Sequence, residues 1–171
     1  MNSYFQIGKI VASHGIHGEV VLLHQLGRLQ APRKLKVLFV ETQPGTYLPY
    51  FVERATSKKQ DELLVQLEGI TSKEQARPLA QKKVYLQQAA FDEQVDPAAP
   101  LYLLGFEVSD RREGILGLVE EIIELPAQLI VKVPCKGKEL LLPINEQTLV
   151  GMDRRRKKLD LDLPDGLLEI Y

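Results

Sequence analysis

His14 and His17 stand three residues apart in a stretch that also carries Glu19, and imidazole with carboxylate is the residue set from which a metal site or an acid–base centre can be built. Zinc takes three or four ligands, however, and apart from Glu19 no Cys, Asp or Glu lies near the pair at matching spacing. The two histidines therefore read first as residues of a turn. The chain has no nucleophile elbow, glycine-rich phosphate loop or Cys-x-x-Cys pair, so neither a nucleophile nor a cofactor cradle can be assigned. No cofactor and no catalytic activity are expected. Cys135, alone in the sequence, has no second thiol for a disulfide or a thiolate site, which points to a reducing compartment.

Contact with phosphate is the other chemistry open to this chain. Lys58-Lys59 and Lys82-Lys83 lie at the ends of expected strands, as do Arg33, Lys34 and Lys36, and a barrel that gathers those ends would form a dispersed basic surface. Lys58, Lys59, Lys82 and Lys83 are accordingly the candidates for RNA contact. Arg154-Arg155-Arg156-Lys157-Lys158 reads two ways, as a phosphate-touching turn or as a solvated hairpin tip offset by the acidic strand beside it. The formal charge of −1 hides an asymmetry: residues 1–90 hold 12 Lys and Arg against 7 Asp and Glu, whereas residues 91–171 hold 10 against 16. A basic half attracts phosphate and an acidic one repels it, although the same imbalance also serves solubility alone.

Short β-type runs supply the scaffold. Tyr4–Val11, Glu19–Leu23, Leu35–Val40, Tyr47–Glu53, Leu63–Leu67 and Lys83–Leu86 are bounded by Gly, Pro and charged residues, the pattern of a small barrel. Gly15 and Gly18 frame the turn between the first two runs and are expected to be structural, because glycine tolerates the backbone angles that a tight turn needs. A helix is expected from Thr71, with Thr71 and Glu74 as its capping box and Pro78 as its stop. Residues 89–100, ending in Pro97-Ala98-Ala99-Pro100, read as an extended linker between domains at 1–88 and 101–171. Runs at Phe106–Asp110, Leu116–Glu124, Leu129–Val133, Glu139–Leu142 and Lys158–Leu163 form a second barrel, with Leu167, Leu168 and Ile170 covering its open end. The fold class is thus mainly β, two small barrels with short helices. No segment approaches the roughly 20 apolar residues that span a bilayer, and nothing resembles a signal peptide, so a soluble cytoplasmic protein without a membrane role is expected.

The Gly8-Lys9-Ile10 opening with Ser13-His14-Gly15-Ile16-His17-Gly18-Glu19-Val20, then Leu67-Glu68-Gly69-Ile70 and Val84-Tyr85-Leu86, resembles the RimM family of bacterial ribosome maturation factors. Leu103-Leu104-Gly105-Phe106-Glu107-Val108, Gly114-Ile115-Leu116-Gly117-Leu118-Val119, Leu140-Leu141-Leu142-Pro143 and Leu163-Pro164-Asp165-Gly166-Leu167-Leu168 resemble that family's PRC-barrel. The resemblance implies a translation-factor-like barrel joined to a PRC-barrel, acting without chemistry of its own. It implies binding to the head of the immature small (30S) subunit, through head ribosomal protein nineteen and 16S rRNA, by a monomer. Two departures accompany it. His17 occupies a position where relatives usually carry Arg or Lys, and Ala98-Ala99 occupies that of a tyrosine pair that relatives often carry and that is linked to ribosomal-protein binding. Leu101 and Tyr102 then become the candidates for the protein contact. Two rival readings remain, an RNA-processing enzyme built on His14, His17 and a carboxylate, and a PRC-barrel scaffold.

Overall fold

A strict two-residue alternation would place Ile7 and Ile10 on opposite faces of one strand, yet both are fully buried. The computed structural model, which describes residues 3–171, resolves the conflict. In β1 (Tyr4–His14) the pairing register shifts at Gln6/Gly8 and again at Ile10/Ala12, and each extra residue turns the following side chains back toward the core. With β2 (Glu19–His24), β3 (Val37–Gln43), β4 (Thr46–Lys59), β5 (Glu62–Leu67) and β6 (Lys83–Gln87), β1 closes an antiparallel barrel in the order β1-β2-β5-β4-β3-β6. Val20, Leu22, Leu38, Val40, Val65, Leu67, Val84 and Leu86 fill its interior with Ile7 and Ile10. β4 runs 14 residues, past the expected end at Glu53, because its second half pairs with β5 even though residues 54–59 carry almost no apolar alternation.

Two local expectations shift. The helix α1 (Lys73–Ala76) is capped by Ser72, not Thr71: Gln75 N–H donates to Ser72 Oγ at 3.2 Å, and Thr71 N–H donates to Gln75 Oε1 at 2.7 Å. Gln75 lies three residues after Ser72, so the side-chain cap forms one position later than expected and leaves Glu74 out of it, while the Gln75 side chain reaches back past Ser72 to the Thr71 amide. Residues 88–94 are not extended but form α2 (Gln88–Gln94), which packs on β1 and β6. Phe91, 1% exposed, meets Phe5 edge-on with ring centroids 4.9 Å apart, and burying such a ring stabilises by about 2–3 kcal/mol. Gln94 is fully buried and bonds both ways to the Ala31 backbone. Beyond it, Asp96 accepts from the N–H groups of Arg28 and Ala98 and folds the Pro97–Pro100 stretch into a turn. The first compact unit therefore takes in α2 and ends at Tyr102; the second spans Leu103–Tyr171.

The second unit contains two sheets. β9 (Glu121–Leu125), β10 (Gln128–Cys135) and β11 (Lys138–Ile144) form an antiparallel meander, and β12 (Leu149–Asp153), β13 (Lys158–Leu161), β7 (Glu107–Asp110) and β8 (Gly114–Leu118) form a four-stranded sheet in that order, with β13 and β7 parallel. Phe106, Val108, Val131, Val133, Leu142, Leu159 and Leu161 are its core. The expected single strand Leu116–Glu124 divides at Val119-Glu120, since β8 and β9 belong to different sheets. β12, interrupted by Gly151, carries no clear strand pattern in its sequence. Ile170, expected to cover the barrel's end, is 74% exposed. Among the described residues no helix is long and apolar enough to cross a membrane.

Candidate nucleic-acid interface

Gly15 and Gly18 both have positive φ, +71° and +80°, yet their surroundings differ. A Cβ on Gly15 would meet nothing within 4 Å, whereas one on Gly18 would lie 2.6 Å from the Ser72 carbonyl oxygen and 2.8 Å from its nitrogen. Gly18 lets the β1–β2 turn rest directly on the capping residue of α1. Gln66 Nε2 ties the same parts together, donating to the carbonyls of His17 at 3.2 Å and Ile70 at 2.6 Å. His14 and His17 point to solvent at this turn, and Glu19 pairs with Arg54 at 3.7 Å. No cluster of three His, Cys, Asp or Glu suited to a metal exists among the described residues. The third histidine, His24, is buried. Burial pulls its pKa below 6.5 against the opposing pull of Asp61, and its Nδ1 accepts from Leu26 N–H at 3.2 Å.

The barrel does not gather the candidate lysines into one patch. Lys58 and Lys59 end β4, at its hairpin into β5, while Lys82 directly precedes and Lys83 opens β6, beside the end of β3 and toward the other end of β4. At that second location the topology adds Lys9, which stands directly opposite Lys83 across the β1–β6 ladder. Lys9 bonds Gln81 Oε1 at 3.3 Å and Lys82 bonds the Thr42 carbonyl at 3.4 Å. Among the described residues, no carboxylate lies within 4 Å of the amino group of Lys9, Lys58, Lys59, Lys82 or Lys83. A cleft of about 230 Å³ runs beside the Lys82-Lys83 site, lined by residues 41–44 and 81–83. Sequence reading missed Lys9, because only register places it against Lys83. It also missed the rings of Tyr4, Phe39, Tyr47 and Tyr85, which come from four strands.

The cations of the second unit are arranged otherwise. Arg111 pairs with Asp162 at 3.6 Å, Lys158 with Glu107 at 3.7 Å, Arg112 with Asp165, and Lys132 bridges Glu121 and Glu139, each at 3.3 Å. In the Arg154–Lys158 run, Arg156 turns back to Asp153, as a hairpin tip does. Asp110, 5% exposed, anchors the end of β7: its Oδ1 accepts from Leu163 N–H at 3.0 Å and its Oδ2 from Arg112 and Glu113 N–H, each at 3.1 Å. Burial works against its charge, but those amides and the Arg112 cation outweigh it and hold the pKa below 3.8. Large apolar side chains stand exposed on both edge strands of the four-stranded sheet, Ile115 and Leu118 on β8 and Val150 and Met152 on β12. Leu101 is buried at 5% exposure and presents little surface, while Tyr102 is half-buried.

Residues 5–91 match the RimM N-terminal domain family and residues 102–167 the RimM PRC barrel domain family. The chain belongs to the RimM family. Relatives include the ribosome maturation factor RimM of Flavobacterium psychrophilum, 30% identical over 98% of this chain and 96% of its own length. That of Parabacteroides distasonis is 31% identical over 97% and 96%. A crystal structure of a RimM from Pseudomonas aeruginosa covers 95% of this chain and 98% of its own at 23% identity and a TM-score of 0.45. Ala98 is exposed and Ala99 half-buried in the turn held by Asp96.

Proposed function

We propose that this chain is a cytoplasmic, non-enzymatic assembly factor of the small ribosomal subunit, acting on the 30S head and aiding 16S rRNA processing. It works as a monomer and without a cofactor. In this reading the first unit contacts rRNA and the second contacts head ribosomal protein nineteen. The observation that carries it is the difference in charge pairing: among the described residues Lys9, Lys58, Lys59, Lys82 and Lys83 of the first unit have no carboxylate within 4 Å, and cations without such partners are the ones available to phosphate. The exposed apolar residues on the edges of the second unit's sheet suit a protein partner better than RNA. Tyr102, with an aromatic body and a polar tip, remains a candidate for that protein contact, and Leu101 would join it only if its burial were relieved.

Tagged full-length chain, incubated with small-subunit precursors and recovered, is expected to bring down head protein nineteen together with head-region rRNA. Recovery of mature subunits in equal yield, or of neither partner, would overturn the reading. The rival with nuclease chemistry at His14 and His17 predicts chelator-sensitive RNA cleavage.

A further inference from the structure

Four aromatic rings form a continuous run on the outside of the first barrel. Phe39 and Tyr85 are directly opposite each other on β3 and β6, and their neighbours Val40 and Val84 are fully buried, so both rings point outward. Tyr4 stacks on Tyr47 at 4.8 Å between centroids and 26° between planes, meets Phe39 edge-on at 4.9 Å, and Tyr47 reaches Tyr85 at 4.6 Å. All four are half-buried, which leaves part of each ring open to solvent. Phe51, on the same outer side of β4, is 54% exposed.

The charges around the rings favour an anion. Lys9 faces Lys83 across the ladder and Lys82 is adjacent, which places three cations on one edge of the ring run. The one carboxylate among them, Glu41, accepts the Tyr85 hydroxyl at Oε2 at 2.7 Å and the Gly45 N–H at Oε1 at 3.1 Å, and its charge also acts on Lys83, so the site sets three cations against one anion. Burial first, and Glu41 second, push the Tyr85 pKa up and keep its hydroxyl protonated as the donor. The cleft lined by residues 41–44 and 81–83 holds Lys82, Lys83 and Glu41, and Glu41 in turn bonds the Tyr85 hydroxyl.

We infer that this face binds unpaired nucleotides of single-stranded RNA, with bases stacked on the Tyr4–Tyr47–Tyr85–Phe39 run and phosphates at Lys9, Lys82 and Lys83. Aromatic stacking tolerates any base, whereas duplex RNA keeps its bases stacked on one another, so the site separates single strands from helices. The inference rests on the reading of this chain as an rRNA-contacting factor and specifies which form of RNA its first unit holds.

Binding of the full chain to an oligouridine ten-mer and to a ten-base-pair RNA duplex, each over a salt series, tests it. The single strand is expected to bind more tightly. Tyr47→Leu is expected to lose about tenfold in single-strand affinity with an unchanged salt slope, while Tyr47→Phe retains affinity. Lys9→Gln/Lys83→Gln, both on exposed side chains, with the thermal midpoint measured alongside, should flatten the salt slope by roughly 0.7 for each phosphate no longer neutralised. Equal affinity for duplex and single strand, or an unchanged slope in the lysine variant, overturns the inference. If the chain still captures precursor particles while the ten-mer fails to bind, the maturation reading stands and this face is not an RNA platform; if particle capture fails as well, both fall.

Discussion

The two units differ less in how much charge they carry than in what that charge is doing. Divided at Tyr102, the first holds 12 Lys and Arg against 10 Asp and Glu and the second 10 against 13, a contrast of only +2 and −3 because Asp92, Glu93 and Asp96 belong with α2. In the second unit Arg111, Arg112, Lys132, Arg156 and Lys158 lie within 4 Å of the unit's own carboxylates; in the first, among the described residues, Lys34 and Arg54 do. Surface pairs of this kind add little stability. Their consequence is for recognition, since a cation neutralised by its neighbour attracts phosphate weakly. The apolar surface runs the opposite way, with Ile115, Leu118, Leu125, Leu141, Val150, Met152 and Ile170 exposed in the second unit and Ile16, Leu48 and Phe51 in the first. Local pairing, not net charge, is what distinguishes the two units.

The largest effect on this contrast should come from removing the first unit's framework. Gly18→Val forces a side chain into the Ser72 backbone at positive φ and is expected to cost about 3 kcal/mol or more. Five of the six tyrosines, Tyr4, Tyr47, Tyr50, Tyr85 and Tyr102, lie in the first unit, so near-ultraviolet circular dichroism on heating reads that loss. The counterpart in the second unit is Asp110→Ala, which leaves the N–H groups of Leu163, Arg112 and Glu113 without their acceptor and is expected to cost roughly 2–3 kcal/mol. Amide exchange at those three residues should accelerate while the tyrosine signal stays unchanged.

Acid should separate the units too. His24 has a folded pKa lowered from 6.5, so its contribution is complete above that value and declines as pH falls through the folded pKa. Asp110, lowered from 3.8, has the same sign but acts only in the more acidic window below that value. A thermal melt at pH 5 against pH 7.5 should therefore weaken the tyrosine-reported unit first. Simultaneous loss would mean that the two units do not respond independently. The smallest expected effect is that of Gly15→Ala, about 1 kcal/mol, because its Cβ meets no neighbour and only the positive φ opposes it. A loss as large as that of Gly18→Val would show that the turn is strained as a whole.

Much of this architecture is legible in residue pattern. Strands with buried alternation, such as Leu63–Leu67 or Lys158–Leu161, announce themselves, and the glycines of the first turn mark positive φ. What stays hidden depends on partners distant in sequence. α2 has one buried ring, Phe91, and a buried Gln94 whose bonds go to Ala31, so its helical character rests on tertiary packing. The second half of β4 is held by β5 and not by its own periodicity. At the candidate site, Lys82 and Lys83 are visible as a basic pair, but Lys9 opposite them and the ring run with Tyr4 and Tyr47 emerge only from strand register.

A division of labour in which the first unit holds RNA and the second holds protein makes the two activities separable. The decisive experiment titrates wild type, Lys82→Ala/Lys83→Ala and Ile115→Glu/Leu118→Glu against a head-region rRNA fragment over a salt series, and against isolated head ribosomal protein nineteen. All the substituted side chains but Lys82 are exposed, so folding should persist. The lysine variant is expected to lose RNA affinity and roughly 0.7 of salt slope per phosphate it no longer neutralises, while keeping protein affinity. The glutamate variant is expected to do the reverse. Loss of both affinities in either variant, with its melting temperature unchanged, or a lysine variant that binds RNA with the wild-type slope, would contradict that division.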